Sequence, residues 1–164
     1  DGQYPSKLLN FLKPYFNDDY AIISGYRSKK EFKIKEETPF ITTSAVKITS
    51  NFLSFATKIK YIEWWSGFRM FSNKFLRKLP MQELSNKRIF DQELLICANL
   101  LNLKTFEIPI YKKYKNHIPY TGLPLVMAVL ESLPLIKKYS ENYYDKILNS
   151  SNILDYKHDI EKII

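Results

Sequence analysis

Apolar residues recur every three or four positions over residues 41–59. This spacing puts them on one face of a helix. The apolar stripe consists of Ile41, Ala45, Ile48, Phe52, Phe55 and Ile59. The opposite face carries Lys47, Ser50, Ser54 and Lys58. The pattern predicts a helix with one apolar stripe, whose opposite face is either solvated or turns a basic surface toward lipid headgroups.

Two stretches predict β-strands. Residues 21–25 form a short apolar run, typical of a buried parallel strand that ends on Tyr26 and Arg27. The stretch from 105 to 111 alternates between two faces, and Pro109 restricts it to a sheet edge or to pairing on one side. Ligands of α/β folds bind at the carboxyl ends of strands, which makes Arg27 a candidate ligand contact.

Shorter helices are predicted elsewhere. They cover residues 5–16, residues 73–79 and residues 92–101, the last with Asp91 as its N-cap. Residues 28–38 are rich in Lys and Glu without apolar periodicity, which predicts a mobile loop.

The C-terminal part of the chain has a different predicted secondary structure. From Gly122 onward the pattern predicts helices that are broken at Pro134 and again at residues 149–152. Alternation of strands and helices is confined to the earlier segments. The predicted fold class is therefore α/β with a helical C-terminal portion.

The composition is that of one ordinary domain. The 164 residues are 45% hydrophobic and 15% aromatic, enough to bury a core. The single cysteine, Cys97, excludes an internal disulfide, fits a reducing compartment and is predicted to pack in the core. No uncharged run reaches the about 18 residues of a spanning helix, so this part of the chain is not expected to cross a bilayer.

The formal net charge is +8, from 25 Lys and Arg against 17 Asp and Glu. Such a surface attracts phosphates, nucleotides or an anionic membrane face, and the charge alone does not choose among them. A basic nucleic-acid-binding module is one alternative, supported by this charge and by twelve tyrosines and eleven phenylalanines. The lysines are scattered and no ribonucleoprotein-type aromatic signature is present, so no nucleic-acid partner is expected.

Four short segments carry the candidate chemistry. They are Asp1-Gly2-Gln3, Glu63-Trp64-Trp65-Ser66-Gly67-Phe68-Arg69, Phe90-Asp91-Gln92-Glu93-Leu94-Leu95 and Glu107-Ile108-Pro109-Ile110. In this order and at these separations they resemble segments of the family 2 glycosyltransferases, particularly the polyprenyl-phosphate (dolichyl-phosphate mannose synthase-like) branch. The resemblance extends from the first residue to about Lys115.

The resemblance implies a partial GT-A fold. Residues 1–121 would be the C-terminal part of the catalytic domain, and residues 122–164 a helical tail. The nucleotide-binding strands of the family precede its metal motif and are missing here. The isolated chain is therefore expected to be inactive and poorly folded.

Asp1 and Gln3 are the candidate metal ligands. With Gly2 between them, both side-chain oxygens can face one hard cation. The resemblance implies that Asp1 is the second carboxylate of an Asp-x-Asp that holds Mg²⁺ or Mn²⁺ on the donor diphosphate, which also makes it a catalytic residue. By the same resemblance Gln3 is an additional metal-side ligand.

Arg27 and Lys115 are candidate phosphate contacts. Arg27 stands where the family has an arginine at a strand end, and an arginine there can bind the acceptor phosphate through a bidentate fork. Lys115 lies in the region where the family usually continues into a Gly-x-Ser-Lys, which this chain lacks.

The segment from Glu63 to Arg69, called the central segment, supplies the remaining candidates. By resemblance Glu63 replaces a catalytic Asp, Ser66 and Gly67 form a turn beside the donor sugar, and Arg69 neutralises charge nearby. The alternative from the residues alone is that the aromatic side chains of this segment pack in the core or along the acceptor wall, and that Arg69 is a surface residue.

Gln92 and Glu93 resemble the acidic helix start of the family, at the edge of its site. The helix dipole alone would stabilise Glu93 in a first turn. Structure therefore explains this carboxylate nearly as well as function does.

The implied activity is transfer of a sugar from a nucleotide-diphosphate sugar to a polyprenyl phosphate or a glycan. A polyprenyl phosphate is already anionic, whereas a sugar hydroxyl needs a general base, for which Glu63 is the first candidate. The implied location is cytoplasmic, peripheral on the membrane face. A non-catalytic relative that only scaffolds at the membrane is a further possibility.

Overall fold

The computed structural model describes residues 10, 20–28, 40–110 and 124–150. The predicted helix over residues 5–16, apart from Asn10, and the predicted loop beyond Ser28 lie outside these ranges. So do the residues after Ser150.

The described strands form one mixed sheet in the order β2-β1-β3, in which β1 is Ile22–Arg27, β2 is Arg69–Phe71 and β3 is Thr105–Ile110. The central strand β1 runs parallel to β3 and antiparallel to β2. The predicted strands are confirmed, and within the described sheet β3 is an edge strand, as Pro109 indicated. Strand β2 was not predicted because it contributes only three residues, too few to show alternation.

The helices are α1 (Phe40–Thr57), α2 (Asn73–Leu76), α3 (Phe90–Leu100), α4 (Pro124–Ser140) and α5 (Tyr143–Ser150), with a 3-10 turn at Met81–Glu83. Together with the sheet they make a small mixed α/β protein. None of the described helices is long and apolar enough to cross a membrane.

Helix α3 is at the centre of the core. Five consecutive residues, Leu94, Leu95, Ile96, Cys97 and Ala98, are almost completely buried, and a helix that is apolar on all sides is a core helix. The prediction for Cys97 is confirmed, and burial raises the pKa of its thiol to about 12. Helix α5 packs on both α3 and α4, and α4 packs on α1.

The predicted N-cap of α3 is wrong. The helix begins at Phe90, and Ile89 is the N-cap residue without a side-chain capping bond. Ile89 is buried, so packing of this apolar residue sets the start of the helix. Asp91 lies in the first turn instead, where its carboxylate interacts favourably with the helix dipole.

The predicted break at Pro134 is also wrong. Helix α4 continues through this residue to Ser140. A proline removes one main-chain hydrogen bond, to the carbonyl four residues earlier. Leu130 and Pro134 both lie on the exposed side of α4, where water can hydrate a carbonyl group that has lost its partner.

Helix α1 is confirmed, and Ala45 is buried and Lys47 exposed as its pattern predicts, but other positions on both faces differ from the prediction. Ser50 is fully buried and Ser54 is half-buried, so the predicted solvated face is wrong at these positions. Ile48, Phe52 and Phe55 of the apolar stripe are exposed instead, Phe55 to 85%. Within residues 44–57 of this helix, each buried polar side chain has a hydrogen-bond partner, which makes its burial possible.

Two threonines of α1 find those partners within the helix. The Thr49 hydroxyl donates to the Ala45 carbonyl at 2.9 Å, and the Thr57 hydroxyl donates to the Leu53 carbonyl at 2.7 Å. A buried hydroxyl that is bonded in this way costs little. The inward side of α1 can therefore be polar and still pack on the core.

Candidate functional site

Arg27 and Glu63 form an ion pair at the carboxyl end of β1. The Arg27 Nε–H donates to Glu63 Oε1 at 2.8 Å, Nη2 donates to the same oxygen, and the Arg27 main-chain N–H donates to Oε2 at 2.8 Å. The two side chains are 11% and 6% exposed. The structure therefore brings together two candidate residues that are 36 positions apart in the chain.

A second carboxylate holds the backbone on which Glu63 sits. Glu107 of β3 accepts hydrogen bonds from the main-chain N–H of Ile62 at 3.0 Å and of Glu63 at 3.3 Å. Partial burial raises the pKa of Glu107, while these two bonds and Arg69 act to lower it. Through Glu107, strand β3 thus fixes the position of Glu63 in the site.

Trp64 is fixed by two serines of α1. Its main-chain N–H donates to Ser50 Oγ at 3.0 Å, and its indole N–H donates to Ser54 Oγ at 2.9 Å. Trp64 is completely buried and packs edge-on against Tyr61. The inward polar side of α1 therefore supports the central segment, which explains why the serines face the core.

The Trp64 carbonyl is held from the opposite direction. Arg69 Nη2 donates to it at 2.7 Å and Gln92 Nε2 at 2.9 Å. The Arg69 Nε–H also donates to Ser24 of β1 at 3.2 Å. Its side chain is 2% exposed, so the interpretation of Arg69 as a surface residue is wrong. Burial lowers the pKa of Arg69, and the carboxylate of Asp91 opposes this effect.

Three buried polar atoms of Trp65 and of the two residues that bind this carbonyl have no hydrogen-bond partner in the described part of the chain. They are Trp65 Nε1, Arg69 Nη1 and Gln92 Oε1. Arg69 Nη1 lies 3.8 Å from Asp91 Oδ2, beyond hydrogen-bonding distance.

Ser66 and Gly67 lie in the turn that leads into β2. Ser66 Oγ accepts the Phe68 main-chain N–H at 3.2 Å, and nothing lies within 4 Å of where a side chain on Gly67 would begin. The Phe68 carbonyl accepts the Gly25 N–H at 2.8 Å. A side chain at Gly25 would meet the side chains of Ile110 at 2.6 Å and of Phe68 at 3.0 Å, so glycine leaves room for both β3 and the turn beside β1.

Glu93 belongs to a different cluster. Its Oε1 accepts from Lys138 Nζ at 2.8 Å and from the Tyr144 hydroxyl at 3.0 Å, and its Oε2 accepts the Ser85 N–H. The carboxylate is completely buried, and it raises the pKa of Tyr144 in addition to the effect of burial. Glu93 thus joins α3 to α4 and α5, while its neighbour Gln92 contacts the central segment.

Asp1, Gln3 and Lys115 lie outside the described residues. Within residues 20–28, 40–110 and 124–150 no group of three His, Cys, Asp or Glu side chains could hold a metal ion. The described part of the site therefore does not by itself fit a divalent cation.

Several site residues were missed from the sequence. Ser50 and Ser54 were assigned to a solvated or lipid-facing surface, and Glu107 was noted only as part of a strand motif. The four-residue spacing of the serines on one face was a usable signal, because it aligns two hydroxyls along a helix. Nothing local indicated that their partner would be Trp64.

Comparison of the chain with protein-family models, with curated proteins and with solved structures finds no match.

Proposed function

We propose that the chain is the C-terminal part of a glycosyltransferase that transfers a sugar from a nucleotide-diphosphate sugar to a polyprenyl phosphate. The observation that carries the proposal is the ion pair between Arg27 and Glu63. Arg27 is a candidate from its position at a strand end and Glu63 from the motif segment 63–69, and the two residues meet at the carboxyl end of two parallel strands, where α/β proteins bind ligands.

The choice of a phosphate acceptor over a glycan follows from the bonding of Glu63. Both of its oxygens accept hydrogen bonds from Arg27, which suits a carboxylate that orients an arginine better than one that removes a proton. A sugar hydroxyl needs a general base. A phosphate brings its own negative charge, so this acceptor fits the observed bonding.

The proposed reaction needs few groups. An oxygen of the acceptor phosphate forms a bond to the anomeric carbon, and the bond from that carbon to the donor diphosphate breaks. The nucleoside diphosphate leaves with the electron pair, and no proton has to be moved. The role proposed for Arg27 is to reduce repulsion between the two anions, with Glu63 fixing its guanidinium group.

The divalent cation of the proposal depends on Asp1 and Gln3. A cation on the donor diphosphate would offset the charge of the leaving group. The described residues supply no ligand set for it, so its contribution is proposed from the resemblance alone.

The test is transfer of a radiolabelled sugar to polyprenyl phosphate by the full-length protein. Arg27→Lys keeps the charge and removes the bidentate hydrogen-bonding geometry of the guanidinium group. We expect kcat/KM to fall about 100-fold, equivalent to a loss of about 3 kcal/mol of transition-state stabilisation. Arg88→Lys is the matched control, because Arg88 is an exposed arginine paired with Glu131. We expect its activity to be unchanged.

Two results would contradict the proposal. Equal activity of the Arg27 and Arg88 variants would remove Arg27 from the site. Absence of transfer together with salt-sensitive, metal-independent binding of oligonucleotides would favour the nucleic-acid-binding alternative.

A further inference from the structure

Helices α1 and α4 expose two stripes of apolar side chains. The α1 stripe consists of Ile48, Phe52 and Phe55, and the α4 stripe of Val126, Met127, Leu130 and Leu133. Each of these side chains is at least 38% exposed. The two helices pack against each other, so the stripes, together called the apolar surface, lie on neighbouring elements. Exposed apolar patches of this kind usually mark a binding surface.

The orientation of α1 strengthens this interpretation. The helix buries serine and threonine side chains, whereas Ile48, Phe52 and Phe55 of its apolar stripe are exposed. Outward apolar side chains on such a helix do not contribute to the described core. Their exposure is explained if they contact something outside the described chain.

Cationic side chains accompany the apolar surface. Lys47 is exposed next to Ile48 on α1, and Lys137 follows Leu133 by one turn on α4. A cavity of about 600 Å³ beside α4 is lined by Leu130 together with Lys87 and Arg88.

Two of these cations, Arg88 and Lys137, pair with acidic side chains. Glu131 lines the same cavity and pairs with Arg88 at 3.0 Å. Glu141 lies 3.9 Å from Lys137. Lys47 and Lys87 remain as exposed cations beside the apolar side chains, so the surface offers both apolar and positively charged contacts.

We propose that the apolar surface docks onto an anionic phospholipid bilayer, with the α1 and α4 side chains entering the interface and Lys47 and Lys87 contacting headgroup phosphates. Apolar side chains flanked by cations are the features by which helices bind such interfaces. A second copy of the chain is a poorer occupant, because each copy carries a net charge of +8. The proposal does not require sugar transfer.

The experiment is co-sedimentation of the full chain with vesicles of phosphatidylcholine, with or without phosphatidylglycerol. We expect binding to the mixed vesicles and about tenfold weaker binding to the neutral ones, with further weakening at high salt. Phe55→Ser should weaken binding to mixed vesicles about tenfold. Met81→Ser, which changes an exposed apolar residue outside α1 and α4, should not.

A charge-matched pair tests the cavity. Lys87→Glu should weaken binding about tenfold, whereas Lys104→Glu, which changes an exposed lysine just before β3, should leave it within about twofold. Circular dichroism checks that every variant is folded.

Three outcomes would overturn the proposal. The first is a full chain that does not bind mixed vesicles, and the second is equal effects within either matched pair. The third is self-association in sedimentation velocity that Phe55→Ser abolishes, which would assign the surface to a second copy. No sugar donor or acceptor is present, so these outcomes are separate from a failure of the proposed function.

Discussion

Ser50→Ala tests the support of the central segment by α1. The change removes the acceptor for the main-chain N–H of Trp64, which is completely buried. A buried donor left without a partner costs about 1–3 kcal/mol. Alanine has the higher helix propensity, which offsets about 0.5 kcal/mol. We therefore expect a net loss of about 0.5–2.5 kcal/mol in the free energy of unfolding.

The assay is urea denaturation followed by the fluorescence of the two tryptophans. The midpoint should fall with an unchanged m-value, and the melting temperature should fall by about 3 °C per kcal/mol. Ser44→Ala is the matched control. Ser44 lies on the same helix, is half-buried and makes no side-chain hydrogen bond in the described part of the chain. The control should be slightly more stable than the natural protein.

The stabilities of Ser50→Ala and Ser44→Ala can refute this explanation. If Ser50→Ala is as stable as Ser44→Ala, the serine does not hold Trp64 and the explanation for the orientation of α1 fails. The double variant with Ser54→Ala should show non-additive losses, because both hydroxyls bind the same tryptophan.

Three further changes test the core. Because the pKa of Cys97 is raised to about 12, the stability contributed by its protonated thiol is complete below about pH 8.5. This stability is lost at up to about 1.4 kcal/mol per pH unit as the pH rises further. In urea titrations at several pH values, the free energy of unfolding of Cys97→Ala should therefore decline less steeply at alkaline pH than that of the natural protein. Gly25→Ala forces a side chain against Ile110 and should cost about 1–3 kcal/mol, whereas Gly67→Ala, which meets nothing, should be within about 0.5 kcal/mol of the natural protein. Glu93→Leu leaves three donors without their acceptor and should cost about 3–5 kcal/mol by the same assay; a smaller loss would show that these donors find water.

Local patterns predicted the elements that depend on local order. The apolar run at 21–25 and the alternation at 105–111 predicted β1 and β3, and the three-four spacing predicted the extent of α1. The same spacing was misleading about the direction in which α1 faces. That direction depends on Trp64, whose bonds to Ser50 and Ser54 span fourteen and ten positions.

The candidate site was predicted in part for a similar reason. Arg27 and Glu63 were each selected, but their direct pairing became visible only when the sheet edge was known. The role of Glu93 could not have been predicted, because its partners Lys138 and Tyr144 are 45 and 51 positions away. Charge and burial in these clusters are decided by tertiary contacts that leave no short-range pattern.

The Trp64 peptide unit has consequences for how the protein is assembled. Its N–H is bound from α1 and its carbonyl from β2 and α3, so segments spread over more than forty positions must all dock before it is secured. Short excised peptides cannot reproduce this junction, and its formation during refolding should coincide with the final cooperative step. Tryptophan fluorescence would then report the completion of the fold and not the initial collapse of the chain.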